Sequence, residues 1–361
     1  MNRYALRGFS ALLAGMVLLA AMTCSFASAT EETDLPSDFL VEPEEEETVP
    51  PAADPAAPEA EGIVLPMDFT EGGRPPKEDG WVTEGKLPVS YEDSTIRVTF
   101  EQGKITHKLP SGPYRGRTVT DETWVVRIRI RHPSQLRTAV SRDTYKGRNQ
   151  VNAADLAKSK NAVVAMNGDF FKYENDVGYV VRQGELIRDL TKNARGILFD
   201  MLVIDSEGDF HVVYAADTKK IHEYAEENLA PLGRTVMDTF NIGPALVING
   251  EVQDAAASEV TRHGGREGMY QWSTPIQRIA IVQTGHLEYA MVFVNGRGKR
   301  TSGMTMQEFA EFVAEQCPGA LLAYNLDGGG SAHIVARGKN LFTNSYLRHI
   351  TDILYFASAE E

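Results

Sequence analysis

Three consecutive glycines, Gly328 to Gly330, stand between two short apolar runs, and they restrict the fold more than any other stretch. Ala320-Leu321-Leu322-Ala323-Tyr324 before them has the length and character of a buried strand. His333-Ile334-Val335-Ala336 after them has that of a second strand. The join also carries Asn325, Asp327 and Ser331. Glycine lacks a Cβ, so backbone here reaches conformations closed to other residues, and a ligand can come close to the N–H groups. An Asp at such a strand end can serve as base, nucleophile or metal ligand, although a glycine hairpin with a turn-forming Asp has the same sequence. Three familiar motifs are excluded. His333 stands where G-x-S-x-G needs its last glycine. No Gly-Lys-Ser/Thr follows as in a Walker loop, and no helical pattern opens directly afterwards as in a dinucleotide site.

Strand patterns dominate the rest. Ile96 to Phe100 reads as a strand, and from Thr123 to Ile130 the residues Trp124, Val126, Ile128 and Ile130 alternate with mostly polar neighbours. Such alternation predicts one buried and one solvated face, as in an antiparallel sheet. Ala162 to Met166 repeats the opening logic: an apolar strand running into Asn167-Gly168-Asp169-Phe170-Phe171. A strand into a turn is expected over 178–184, a hairpin over 196–214 around Ser206-Glu207-Gly208, and a strand between Gly243-Pro244 and Asn249-Gly250. Residues 255–274, with Arg262, His263 and Arg266, read as a mobile loop. Helices are expected at 152–160 behind the N-cap Asn152, at 218–229, and at 305–317, where Thr305 and Glu308 form a capping box. Residues 63–90, with Gly72-Gly73 and Pro75-Pro76, read as irregular lead-in. Together these patterns predict an α+β fold: a single catalytic domain over 85–361, built of strand-rich mixed or antiparallel sheets with a few packed helices.

The N-terminus has the marks of export. Arg3 and Arg7 precede an apolar run from Phe9 to Met22, and Ala27-Ser28-Ala29 offers small residues for cleavage. Residues 1–29 are therefore expected to be a signal peptide or, if uncleaved, an anchor and the sole membrane contact. Residues 31–62 hold twelve Asp or Glu, no Lys or Arg, and six Pro, so 30–84 is expected to be an unfolded acidic spacer. The formal charge of −14 divides into +2 for residues 1–29, −12 for 31–62 and −4 for 63–361. The folded part is thus near neutral, and no nucleic-acid partner is expected. Cleavage would leave Cys317 alone, which points to a bacterial-type secreted or cell-envelope protein held by its core and not by disulfides. No Cys/His cluster suggests zinc, and no cofactor is expected.

Several separated pieces then agree: Asn167-Gly168-Asp169-Phe170-Phe171, Gly243-Pro244-Ala245-Leu246-Val247, Arg278-Ile279-Ala280-Ile281, Asn295-Gly296-Arg297, Gly303-Met304-Thr305-Met306-Gln307-Glu308 and Asn325-Leu326-Asp327-Gly328-Gly329-Gly330-Ser331. In this order they resemble the phosphodiester glycosidase family over roughly residues 95–357. Four positions depart from the family's pattern, Ile279, Val282, Ala332 and Asp169, and they bear on substrate detail more than on reaction class.

The resemblance implies hydrolysis of a sugar 1-phosphodiester by C1–O cleavage. Asp327 is the expected catalytic carboxylate, as base for water or as nucleophile, with Asp169 the second of a pair. Arg278 is the first choice for a bidentate clamp on the phosphate and Arg348 the second. The N–H groups of Gly328, Gly329 and Gly330 would share the phosphate charge. Asn167, Gly168, Asn325 and Ser331 would line the sugar or orient water. A carboxylate pair is also a donor set that Ca2+ or Mg2+ accepts, which leaves a divalent ion open. The expected partner is a phosphate-linked glycan or cell-wall polymer. Two alternatives share these residues: a non-catalytic envelope protein that binds glycan, and a metal-dependent phosphodiesterase that cleaves P–O.

Overall fold

The computed structural model describes residues 64–112, 114–144, 149–169, 179–189, 199–216, 218–254, 273–296, 302–344 and 347–361. All lie within the unit Glu59–Glu361. The export segment, the acidic stretch to residue 62, Phe170 and Phe171, the loop residues Arg262, His263 and Arg266, and Arg297 fall outside the described residues.

Four sheets form. The largest has nine strands in the order β1 (Trp81–Glu84), β2 (Leu87–Glu92), β3 (Ile96–Lys108), β4 (Thr118–Ile130), β15 (Glu288–Val294), β14 (Arg278–Gly285), β16 (Leu322–Asn325), β12 (Ala245–Ile248) and β13 (Glu251–Val252). A five-stranded sheet runs β18 (Lys339–Asn340), β17 (Ile334–Ala336), β6 (Ala162–Asn167), β19 (Asp352–Ala357) and β5 (Leu136–Val140). Three strands, β10 (Phe210–Ala216), β9 (Phe199–Asp205) and β11 (Val236–Phe240), make a third sheet, and β7 (Tyr179–Arg182) with β8 (Glu185–Asp189) a fourth. Neighbouring strands pair antiparallel throughout. The α+β architecture expected from the sequence is the one found.

The two large sheets face each other across the main core. Val98, Val126, Ile279, Ile281 and Tyr324 meet Val164, Met166, Ile334, Leu354 and Phe356 there. Helix α3 (Met306–Gln316) covers the outer face of the nine-stranded sheet, where Phe309 and Val313 pack on Ala280, Val282 and Val292. Burying Phe309 and Phe312 in this layer contributes roughly 1.5–3 kcal/mol each. Helix α1 (Ala153–Ser159) covers the outer face of the smaller sheet through Leu156 and Ala157. Strand β14 is consequently buried on both faces. In β4, Arg127 and Arg129 remain exposed, Arg127 reaching only the last carbonyl of α3 at Gln316, so alternation survives there.

Helix starts obey local chemistry. The Asn152 side chain accepts from Ala154 N at 2.8 Å, and Thr305 and Glu308 close a reciprocal capping box. Helix α2 (Thr218–Tyr224) runs on as a π turn, Ala225–Leu229.

One expectation is corrected. The segment read as irregular lead-in carries a 3-10 turn, β1 and β2, and the hairpin between the strands turns at Gly85 with φ +61. Leu65 and Phe69 are buried, and the carbonyls of Asp68 and Glu71 accept from Arg137 Nη2 at 3.0 and 3.3 Å. A buried guanidinium needs such acceptors, so the fold takes in residues before 85. Gly and Pro in this segment punctuate an ordered strap.

Candidate active site

The glycine stretch lies where both large sheets end. Register fixes this edge: Asn325 of β16 pairs with Ala280, Arg278 with Val294, and Val294 with Thr123. In the facing sheet β6 ends at Asn167, beside His333 and Ile353. The Asn167 amide bridges the sheets. Its Nδ2 donates to Asp327 O at 2.8 Å, and its Oδ1 accepts from His333 N at 3.0 Å. Asn325 Nδ2 donates to Gly243 O at 2.7 Å, while its buried Oδ1 has no hydrogen-bond donor among the described residues.

Asp327 is the carboxylate left within reach of a ligand. Its side chain keeps 9% exposure, against 0% for Asp169. Burial pushes its pKa up to about 6, the charge of nearby Asp169 adds to this, and Arg348, the Ser331 hydroxyl and the Gly328 N–H oppose it. Arg348 Nη2 donates to Ser331 Oγ at 2.8 Å and stands 3.9 Å from Asp327 Oδ2. Its side chain is 46% exposed, so the guanidinium retains capacity for an incoming anion.

Asp169 has a different setting. Its carboxylate accepts from Asn241 N at 2.6 Å and from Arg182 Nη2 at 3.0 Å. The same Arg182 nitrogen donates to Asp352 Oδ2 at 2.8 Å, and the guanidinium lies 4.6 Å over the Phe240 ring. Two carboxylates thus share one cation in a closed interior. Burial raises both carboxyl pKa values against the pull of Arg182, that of Asp352 to about 7. Gly168 is obligatory beside them: a Cβ there would stand 2.3 Å from Asp352 Oδ2. Asp169 therefore sits near Asp327 as the anchor of an ion triad, with no exposed carboxylate edge.

The two arginines singled out in the sequence are also distinguished. Arg278 is buried, and its guanidinium donates to Met304 O and Thr274 O, both at 3.1 Å. It braces the chain entering and leaving the site. Two of the three glycine N–H groups have partners within the chain. Gly329 N donates to Gln277 O at 2.8 Å, and Gly328 N serves Asp327. Gly330 instead uses its carbonyl, which accepts from Arg348 N at 2.7 Å and so fixes the arginine's base. Among the described residues no group of three or more His, Cys, Asp or Glu is arranged to hold a metal ion, and no helix is long and apolar enough to cross a membrane.

The site's elements match a family pattern: the phosphodiester glycosidase model aligns with residues 160–357, which span β6, the ion triad, the glycine stretch and β19. The chain belongs to the phosphodiester glycosidase family. No curated protein matches it in sequence. Among solved structures it is similar to the zebrafish N-acetylglucosamine-1-phosphodiester alpha-N-acetylglucosaminidase catalytic domain, described as auto-inhibited by its pro-peptide. Identity there is 17%, the TM-score is 0.53, and the match covers 73% of this chain and 88% of that one. A hypothetical protein from Synechocystis matches at 14% identity and a TM-score of 0.42, over 74% of this chain and 76% of that one.

Arg182 and Asp352 are the residues beside the candidate site that sequence reasoning passed over. Arg182 ends the apolar run Tyr179-Val180-Val181, the same signal that marked Arg278. Asp352 carries no local signal. The glycines are testable directly. Gly329 has φ +60, with open space where a Cβ would point. Gly329→Val should therefore cost about 1–3 kcal/mol through backbone strain alone. Urea denaturation would show a lower midpoint, and an unchanged midpoint would mean the turn relaxes without needing glycine.

Proposed function

We propose that this chain is an exported hydrolase that cleaves the C1–O bond of a sugar 1-phosphodiester, releasing sugar from a phosphate-linked glycan or wall polymer. The observation that carries this is Asp327, almost buried but still reachable, joined through Ser331 to the partly exposed Arg348. Arg348 neutralises the departing phosphate. Asp327, ionised above about pH 6, takes the proton of the attacking water or attacks C1 itself. In the water route a bond forms between water oxygen and C1. The C1–O bond to phosphate breaks with its electron pair on the phosphate oxygen, and the proton leaves through Asp327. A phosphomonoester is a good leaving group, so neutralising its charge matters more than protonating it. Arg278 and the Asp169–Arg182–Asp352 triad hold the frame. The basic, apolar and small-residue succession at the N-terminus supports export, and the acidic stretch behind it suits a spacer to the envelope.

Turnover in 18O-water tests the bond cleaved. Label should appear in the released sugar; label in the phosphate would make the protein a phosphodiesterase that cleaves P–O. The pH profile tests the arginine. The acid limb of kcat/KM should lie near pH 6. Arg348 lowers the Asp327 pKa, so Arg348→Gln should move that limb to higher pH and reduce kcat/KM by about tenfold or more. A limb that stays in place would remove Arg348 from the site.

A further inference from the structure

Strands β3 and β4 are much longer than their neighbours. Their pairing continues beyond the sheet's last shared row, Gly103↔Thr123, for five rungs from Lys104↔Glu122 to Lys108↔Thr118. At 3.3–3.4 Å per residue this ribbon projects about 17 Å. Thr123 pairs with Val294, and Val294 with Arg278, so the ribbon leaves the sheet at the edge that holds Asp327. It is well anchored. At its base Asp121 Oδ2 accepts from Gly303 N at 2.7 Å and lies 3.1 Å from His107 Nε2. Its tip is closed by Gly116 N to Leu109 O at 2.8 Å and tied by Ser111 Oγ to Ser273 O, on the segment leading to Arg278.

The ribbon's charge is opposite to that of the rest of the fold. From residue 103 to 120 there are four Lys or Arg and no Asp or Glu, whereas residues 63–361 together carry −4; without the ribbon they would carry −8. Lys104, Lys108, Arg115 and Arg117 are all exposed. Arg117 lies 5.7 Å over the ring of Tyr114, which is itself 44% exposed. Four solvated cations on one ribbon, with an arginine-backed aromatic ring at its end, suit a chain that alternates phosphate and sugar, the cations meeting phosphates and the ring a sugar face.

The geometry points to the β3–β4 ribbon as a secondary binding arm for a polyanionic glycan: a phosphodiester-linked polymer whose end lies at Asp327 while upstream repeats lie along Lys108, Arg115 and Arg117. This rests on the phosphodiester glycosidase reading and gives its polymer substrate a second point of attachment, so that polymers are favoured over small diesters. It also separates attachment from chemistry, because the ribbon does not touch the reacting atoms.

The test uses the triple variant Lys108→Ala, Arg115→Ala, Arg117→Ala in the full chain, with its melting temperature confirmed equal to the parent's. The probe is fluorescein-labelled linear polyphosphate of about 30 phosphates, which carries the polymer's charge and needs no turnover. The parent should bind it with an affinity that falls steeply as salt is raised, and the variant should bind at least tenfold more weakly at low salt. With substrates, the variant should raise KM for a poly(glycosyl phosphate) and leave kcat/KM for a small sugar 1-phosphodiester unchanged. Equal polyphosphate affinity for parent and variant overturns the proposal, as does a loss on the small diester as large as that on the polymer. If the parent hydrolyses no sugar 1-phosphodiester but binds polyphosphate through the ribbon, the enzymatic reading fails and the binding arm stands.

Discussion

Asp327→Asn should lose a thousandfold or more in kcat/KM against a sugar 1-phosphodiester while folding as well as the parent. Asn keeps the shape and still accepts from Gly328 N and Ser331, but it can neither take a proton nor attack carbon. The stability side has a definite sign. The folded pKa of Asp327 is raised, to about 6, above the ordinary carboxylate value. The native state therefore holds a proton that the unfolded chain has released, and stability falls as pH rises between about 4 and 6. Asn removes that loss, so above pH 6 the variant's melting temperature should equal or exceed the parent's. Parental turnover in the variant would make Asp327 a turn former and move the chemistry elsewhere.

Arg182→Met should be the most destabilising single change at the site, costing about 3–5 kcal/mol near neutral pH. It leaves Asp169 and Asp352 facing each other, fully buried, without the cation that both contact. The cost should shrink as pH falls toward about 4, because protonating either carboxyl removes the repulsion, and both pKa values are already raised in the parent. Urea denaturation at pH 5 and pH 8 would show this. A deficit of equal size at both would mean that the triad's charges do not govern the loss. Adding Asp352→Asn should recover part of the stability at pH 8.

Reading the sequence located what is local and left out what is distant. Asp327, Ser331 and the strands beside them lie within one short stretch, and their arrangement follows from three glycines. Arg348 lies outside the family's motif pieces and was chosen second on residue type alone, yet it is the more exposed arginine. The ion triad was not legible: Arg182 meets one partner 13 residues away and the other 170. Nothing beside Asp352 distinguishes it from an ordinary residue at a strand's start. The glycine N–H groups were assigned to a ligand because glycine permits close approach, but a carbonyl from Gln277 takes one of them. Likewise the strap before residue 85 contains the turn residues of a loop, and only the buried Arg137 it serves reveals that it must be ordered.

The bridge between Asn167 and Asp327 joins positions 160 residues apart in the chain. Asn167 ends a strand of one sheet and Asp327 lies two residues past a strand of the other, so neither half of the protein holds the candidate site alone. Contacts of such long range form slowly and late, since loop closure must precede them. Newly made chains should therefore acquire secondary structure before they acquire turnover. A nicked preparation should regain activity only when both fragments are mixed, which makes recovered hydrolysis a reporter of complete assembly.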